Sequence, residues 1–431
     1  MADVLVCASS LTGHVAPMLA VARHLREAGH ALRMTTGSRF GEQVSASGVE
    51  FIPLRGAADI DDRDLDRAFP GRAGTRGIAR ARFDVSGLFV RSLRPQWAVV
   101  SEQLQRRTAD LVLADVTFLG VAPLLARPLP RPPVVGCGVI PLALSSPHVP
   151  PFGAGLPYAV GPASLFRNVV VGAAIRRIVL GRHQREAQAA LATCVPGARF
   201  SGYFMDSVVA ADCFLQLSVS SLDYPRPDLP STISYVGPVL PRAPSRVELP
   251  DWWSRLDGSR PVVLVTQGTL DVADLQRLIG PTVEGLRDED VLVVAVTGGP
   301  PTHRLGPLPA NAVAATFLPF DLLMRHVSVM VTNGGFGGTH QALAHDVPLV
   351  IAGDTEEKPE IAARVEWAGA GVNLRTGTPT AGQVREAVRT VLGPGPHRLR
   401  AQSIGAEIRR TDALGRIAAE VEARCAPGRP S

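Results

Sequence analysis

The chain has 431 residues, 46% of them apolar and 19% charged, with a net charge of +5 at neutral pH. That length exceeds one ordinary core and predicts two domains, while the composition excludes a disordered chain. The small, dispersed positive charge, with no arginine run interleaved with aromatics, argues against nucleic-acid binding, and the five scattered cysteines offer no CxxC pair for zinc or redox exchange.

The opening "DVLVCASS" has the pattern of a short buried strand, and "APMLAVARHLREAG" places apolar residues at helical spacing, with Gly29 as its stop. "ALRMTT" is the next strand, so the N-terminus reads as a βαβ unit in a parallel sheet. An acid at position 3 with no basic segment before the apolar run predicts no secretory signal and a cytoplasmic protein. "ADLVLAD" (109–115) and "PVVGCGV" (133–139) continue the sheet. The stretch 159–181 is apolar but interrupted by Arg167, Arg176 and Arg177, which predicts an amphipathic helix and no integral membrane segment.

Between 220 and 260 the chain turns proline-rich and loses periodicity, as expected of a linker. The alternation then restarts: "PVVLVTQGT" as strand and turn, "DVADLQRLIGPTVEGL" as helix, "VLVVAVTG" as strand, and "VSVMVTNGG", "FGGTHQALAH" and "VPLVIAG" as strand, helix and strand. The fold class is therefore α/β, with two doubly wound halves. The expected division is an N-terminal domain over 1–225, a linker over 226–260, a C-terminal domain over 261–400, and a terminal helix over 401–425 that packs back on the first domain.

Ligands of open parallel sheets gather at the carboxyl ends of strands. His14 follows the first strand, beside Gly13, where an imidazole of ordinary pKa about 6.5 suits proton abstraction from a hydroxyl; a helix-entry histidine without function is the plainer alternative. Asp115 ends "ADLVLAD" and is the candidate to fix the imidazole's tautomer, although a lone Asp there also suits a turn. "VTQGTLD" offers Thr269 beside a helix start. "VTNGGFGGTHQAL" offers Gly334, Gly335, Gly337 and Gly338 between strand and helix, where converging N–H groups and the helix dipole could hold an anion, or where glycines could simply make a turn. It is neither a Walker loop nor a dinucleotide fingerprint.

Taken together, "GHVAPMLAVARHLREAGHALRMTTGSRF", "LDYPRPDLPSTISYVGP", "VLVTQGT" and the run from "FLPFDLLMRHVSVMVTNGGFGGTHQAL" to "GDTEEKPEIAARVEWAGAGVNL" resemble the metal-independent, inverting glycosyltransferases of the GT-B fold, family 1, of the bacterial natural-product and macrolide type. The resemblance implies two Rossmann-like domains facing each other across a cleft. It implies transfer of a hexose or deoxyhexose from a UDP- or dTDP-linked donor to a hydroxyl of a small hydrophobic acceptor such as a polyketide, macrolide or flavonoid. No cofactor and no metal are expected, since the nucleotide sugar is a co-substrate. His14 is then the base and Asp115 its partner; Thr269, Gly335, Gly337, Gly338 and Thr339 surround the donor diphosphate, Gly13, Asn333 and Gly334 also belong to the donor site, Phe317 and Leu318 lie by the nucleobase, Gln341 by the ribose, and Glu357 and Lys358 by the sugar.

The sequence departs from the family's pattern at four places. Asn333 stands for the usual histidine of "HGG", Phe320 for a glutamine after Pro319, Gln341 for a glutamate, and Glu357–Lys358 for Asp-Gln. Lys358 is also the one lysine among 44 basic residues, which suggests that it compensates at the donor for the neutral Asn333; a surface ion pair with Glu356 or Glu360 is the alternative. The acceptor is expected against segments 59–94 and 140–180. Other readings are a glycolipid glycosyltransferase, a nucleotide-sugar-binding protein without transfer activity, and an NAD-dependent oxidoreductase, the last lacking a GxGxxG after any strand.

Overall fold

Along β1 (Asp3–Cys7), Val4 and Val6 enter one core and Leu5 and Cys7 enter another, so the strand is covered on both faces. The computed structural model describes residues 1–241, 248–269 and 272–425. β1 joins β2 (Ala31–Thr36), β3 (Glu50–Pro53), β4 (Leu111–Asp115), β5 (Val134–Gly138), β6 (Cys213–Gln216) and β7 (Ile233–Tyr235) in a parallel sheet of order β3-β2-β1-β4-β5-β6-β7. A second parallel sheet holds β8 (Val262–Thr266), β9 (Leu292–Val296), β10 (Ala312–Ala315), β11 (Val327–Thr332), β12 (Leu349–Ile351) and β13 (Gly371–Asn373), in the order β10-β9-β8-β11-β12-β13. Helices cover both faces of each sheet. The strand order reverses between β1 and β4 in the first and between β8 and β11 in the second, which is where such sheets open crevices.

Three stretches differ from their sequence reading. The proline-rich strap is not structureless: Ile233 of β7 enters the first core, while Trp252 and Trp253 pack on the second, with Trp252 Nε1 donating to the Ala314 carbonyl at 3.2 Å. The helix expected from 271 to 286 begins only at Ile279, after a single tight turn at Leu275–Arg277. Polar side chains set that start, because Gln267 Oε1 accepts from the N–H groups of Leu278 and Ile279 and the Asp274 carboxylate from that of Gln276. The helix expected over 401–425 is two helices, Pro396–Arg409 and Ala413–Cys425, divided where Asp412 accepts from the Gly415 N–H and opens the second.

Ala401, Ile404 and Ile408 of the first of these helices lie in the second domain's core. Ala413, Ile417, Ala418 and Val421 of the next lie with Val4, Val6 and Met18 in the first domain's core. The chain therefore crosses between the halves at the strap and again near Thr411. The two crossings touch: Thr411 packs so closely on Gly237, at φ +93, that no side chain would fit there, and Arg416 donates to the Tyr235 carbonyl at 2.7 Å. The 159–181 stretch is the helix Pro162–Ala174, continued by a wider turn over Ile175–Val179. Among the described residues no helix is long and apolar enough to cross a membrane.

Candidate active site

The pairing of β1 with β4 sets Cys7 beside Ala114, so the loops leaving the two strands emerge together. One enters the helix Thr12–Glu27, whose first turn carries His14; the other starts from Asp115. His14 Nδ1 lies 3.0 Å from Asp115 Oδ1, and both side chains are buried. Oδ1 also accepts from the Thr117 N–H and hydroxyl, each at 2.7 Å, and Oδ2 accepts from the Ser9 N–H at 2.5 Å. The Thr117 oxygen lies 3.1 Å from His14 Nδ1 and 2.9 Å from the Ser9 hydroxyl.

A carboxylate faced by so many donors is held ionised. Burial pushes the Asp115 carboxyl up, yet His14 and the Ser9 and Thr117 donors outweigh it and hold the pKa below its ordinary 3.8. Such a carboxylate fixes the proton on Nδ1 and leaves the lone pair on Nε2. Burial likewise pulls the His14 pKa down, but Asp115 first, then Glu357 and Asp62, raise it above 6.5. Asp62 comes from the segment 59–94; it accepts from the Thr12 N–H at 2.6 Å and pairs with Arg39 at 2.6 Å, which pins the start of the His14 helix. Gly13 adjoins this site, with open space where a side chain would project.

On the second sheet, β8 leads to Gly268, at φ +72, and to the exposed Thr269. β11 leads to Asn333, whose Nδ2 donates to the Gln267 carbonyl at 2.5 Å, so this amide ties the two loops together. Gly334, at φ +93, lets the chain turn into the helix Phe336–Ala344, capped by Gly335. A side chain at Gly335 or Gly337 would meet nothing within 4 Å, so the backbone there faces open space, while Gly338 lies by Met330. Thr339 is fully buried and Gln341 half-buried. Phe317 is 64% exposed, whereas Leu318 and Phe320 are half-buried and pack against the second core.

β12 leads to the loop carrying Glu357 and Lys358. This loop leans on the glycine loop: a side chain at Gly353 would overlap the Asn333 carbonyl, and Gly334 abuts Ile351 and Lys358. Lys358 is buried; its Nζ lies 3.0 Å from Thr355 Oγ1 and 2.5 Å from Glu356 Oε2. Glu356 has φ +55, and Arg72 of the first domain comes within 3.9 Å of it. Burial and the Glu356 charge push the Glu357 carboxyl up. The Glu357 charge is among those that raise the His14 pKa.

Residues 283–423 match the family model described as the erythromycin biosynthesis protein CIII-like C-terminal domain, and residues 11–135 match the glycosyltransferase family 28 N-terminal domain. The chain is 38% identical to 4'-demethylrebeccamycin synthase of Lentzea aerocolonigenes, covering 96% of this chain and 97% of that protein. The chain belongs to the UDP-glycosyltransferase-like GT-B glycosyltransferases. This glycosyltransferase is also 33% identical to UDP-glycosyltransferase 2 of Phaeomoniella chlamydospora, over 97% of this chain and 95% of that one. Its fold matches the solved structure of the glycotransferase of kitacinnamycin, with a TM-score of 0.73, 21% identity and 98% coverage of both chains. These relatives, similar over nearly the whole chain, are transferases, which supports the transferase reading over the oxidoreductase and non-transferring alternatives.

Several residues of the glycosyltransferase's site escaped the sequence reading. Ser9 and Thr117 complete the shell around Asp115, and a hydroxyl two residues after a strand-ending Asp was the available signal for Thr117. Gly298, at φ +73, packs so tightly on the Gly268 carbonyl that no side chain fits, and the "VTGGPP" turn after β9 was the signal. His340, buried between the Phe336 carbonyl at 2.8 Å and the Ser218 hydroxyl at 2.9 Å, ties the glycine-loop helix to the first domain. No pattern in the sequence marks that last contact.

Proposed function

We propose that this glycosyltransferase moves a hexose or deoxyhexose from a UDP- or dTDP-linked donor to a hydroxyl of a small apolar acceptor, inverting the anomeric carbon. The observation that carries the reading is the buried His14–Asp115 pair, in which Nδ1 is committed to the carboxylate and Nε2 is the basic nitrogen. Nε2 takes the acceptor's hydroxyl proton as its oxygen attacks the anomeric carbon, and the bond from that carbon to the diphosphate oxygen breaks on the opposite face. Asp115 stabilises the imidazolium that forms. A positioned base contributes about 10² to 10⁴-fold, and alignment of the two substrates adds to it.

The departing diphosphate gathers negative charge. The open backbone at Gly335 and Gly337, at the start of the helix Phe336–Ala344, meets it with N–H groups and about half a positive charge from the helix dipole. Thr269 adds a hydroxyl from the neighbouring loop, Phe317 offers an exposed ring to the nucleobase, Gln341 serves the ribose, and Glu357 and Lys358 lie toward the sugar. Relatives named for 4'-demethylrebeccamycin and kitacinnamycin support a natural-product acceptor. A lipid-linked acceptor is the second reading, favoured by the exposed Phe166, Val169 and Val170 on the helix Pro162–Ala174.

The test is release of nucleoside diphosphate from UDP-glucose and dTDP-glucose with a panel of aromatic polyketides, flavonoids and macrolides, followed by NMR of the product. An α-linked donor giving a β-glycoside supports the reading. Retention of the α configuration, or release that no hydroxyl acceptor stimulates, overturns it.

A further inference from the structure

The helix Lys358–Trp367 begins with a residue of the donor-side loop and grips the first domain with its next turns. Glu360 is buried, and its Oε1 accepts from the Gly153 N–H at 2.9 Å and the Gly155 N–H at 3.0 Å. Its Oε2 accepts from Arg364 NH1 at 3.0 Å. Arg364, also buried, donates through Nε to Asp223 Oδ1 at 2.9 Å and lies over the Tyr224 ring at 4.6 Å. Asp223 Oδ2 in turn accepts from the Tyr235 hydroxyl at 2.7 Å. Tyr224 stacks on Tyr158 at 5.0 Å, and Trp367 meets both rings edge-on. Glu360, Arg364 and Trp367 come from the second domain; every other partner comes from the first.

We infer that Glu360 is a positioning residue that couples the acceptor-side loop 150–155 to the donor-side loop 353–358, so that nucleotide bound in the second domain stiffens the first. The inference rests on the donor and acceptor sides assigned under the proposed function. The route is continuous contact: the glycine loop touches Gly353 and Lys358, Lys358 opens the helix, and Glu360 lies within one turn of it. Three glycine-loop, helix and carboxylate contacts therefore separate the diphosphate site from two backbone amides across the cleft. Gly153 and Gly155, at φ +86 and +57, hold their loop in a turn that aims both N–H groups at one oxygen.

Only a carboxylate fits this position. All three groups facing Glu360 are N–H donors, so the amide of a glutamine must turn its NH₂ toward either the glycines or Arg364, setting donor against donor. Glu360→Gln therefore breaks the coupling with almost no change of shape. Glu360→Asp keeps the acceptor chemistry at shorter reach and should restore part of it.

The experiment is hydrogen exchange of the full chain, with and without saturating UDP or dTDP, in the wild type, Glu360→Gln and Glu360→Asp. In the wild type, nucleotide should slow exchange at 333–339 and also slow it by about tenfold at 150–158. Glu360→Gln should keep the first effect and lose the second, with Glu360→Asp between. Protection at 333–339 alone in the wild type overturns the coupling while leaving the donor site standing, and so does protection at 150–158 that survives Glu360→Gln. No protection at 333–339 removes the donor reading itself and the inference with it. Because the wild type alone can refute the idea, a poorly folded variant does not shelter it.

Discussion

Lys358 Nζ lies 2.5 Å from Glu356 Oε2, and the lysine side chain is only 6% exposed against 19% for the glutamate. The single lysine of the chain thus holds a left-handed glutamate in the loop that leads to Glu357. The pair is neither a solvated surface bridge nor fully desolvated. Burial alone would raise the Glu356 carboxyl, and Lys358, with Arg72 and Arg80, holds it below its ordinary 4.5.

Lys358→Gln should therefore lower stability by about 1–3 kcal/mol, between the values for exposed and buried pairs, and raise the KM for the nucleotide sugar. Adding Glu356→Gln should recover most of the melting temperature, since no buried charge is then left alone. The donor KM should stay high in the double variant if the ammonium itself serves the donor. A KM that recovers along with the melting temperature would confine Lys358 to its partner.

His14→Ala should reduce kcat by about 10² to 10⁴-fold while leaving the nucleotide-induced thermal shift intact. Asp115→Asn should cost a comparable amount, because an amide among four donors turns an NH₂ toward one of them and no longer fixes the proton on Nδ1. Turnover near wild type in His14→Ala would contradict the assignment of the base.

The neutral imidazole is the reactive form, and its pKa stands above 6.5 because Asp115, Glu357 and Asp62 outweigh burial. Activity should fall as the pH drops through that raised value, so the acid limb of kcat/KM lies on the alkaline side of 6.5. Glu357→Gln removes one of those charges and should move the limb toward acid, whatever it does to the height of the profile. The same shift makes the His14 contribution to stability complete below 6.5 and lost as the pH rises through the folded value.

His340 behaves in the opposite sense. Burial depresses its pKa from 6.5 to about 4, the Phe336 carbonyl opposing only in part. Its contribution to stability is complete above 6.5 and is lost as the pH falls toward 4, at about 1.4 kcal/mol per pH unit. Thermal melts of His340→Gln should lack this slope. An unchanged slope between pH 6.5 and 4.5 would assign it to other groups.

The fold was legible because burial on both faces leaves continuous apolar runs such as "VLVC", "LVLA" and "VVLVT". His14 and Asp115 were legible as a pair because one follows a strand and the other ends one, and adjacent parallel strands deliver both to one crevice. What was not legible depended on partners far along the chain. Glu360 meets Gly153 across 207 residues, and nothing local distinguishes it from any acid in the first turn of a helix. The late start of the helix at Ile279 was hidden likewise, because the side chain that caps it, Gln267, belongs to the preceding turn. Phe320 could be noted as a departure but not explained until the second core was seen to hold it.

Where Thr411 rests on Gly237, both chain crossings pass through one spot. Two bodies joined at a single spot can roll and tilt in any direction, unlike a door hung on two separated hinges. The covalent chain thus leaves the mutual orientation of the halves undecided, and that choice falls to noncovalent fastenings such as Ser218 with His340, Asp223 with Arg364, and Glu360 with the glycine amides. Buried polar side chains far apart in sequence therefore set how the two halves sit against each other.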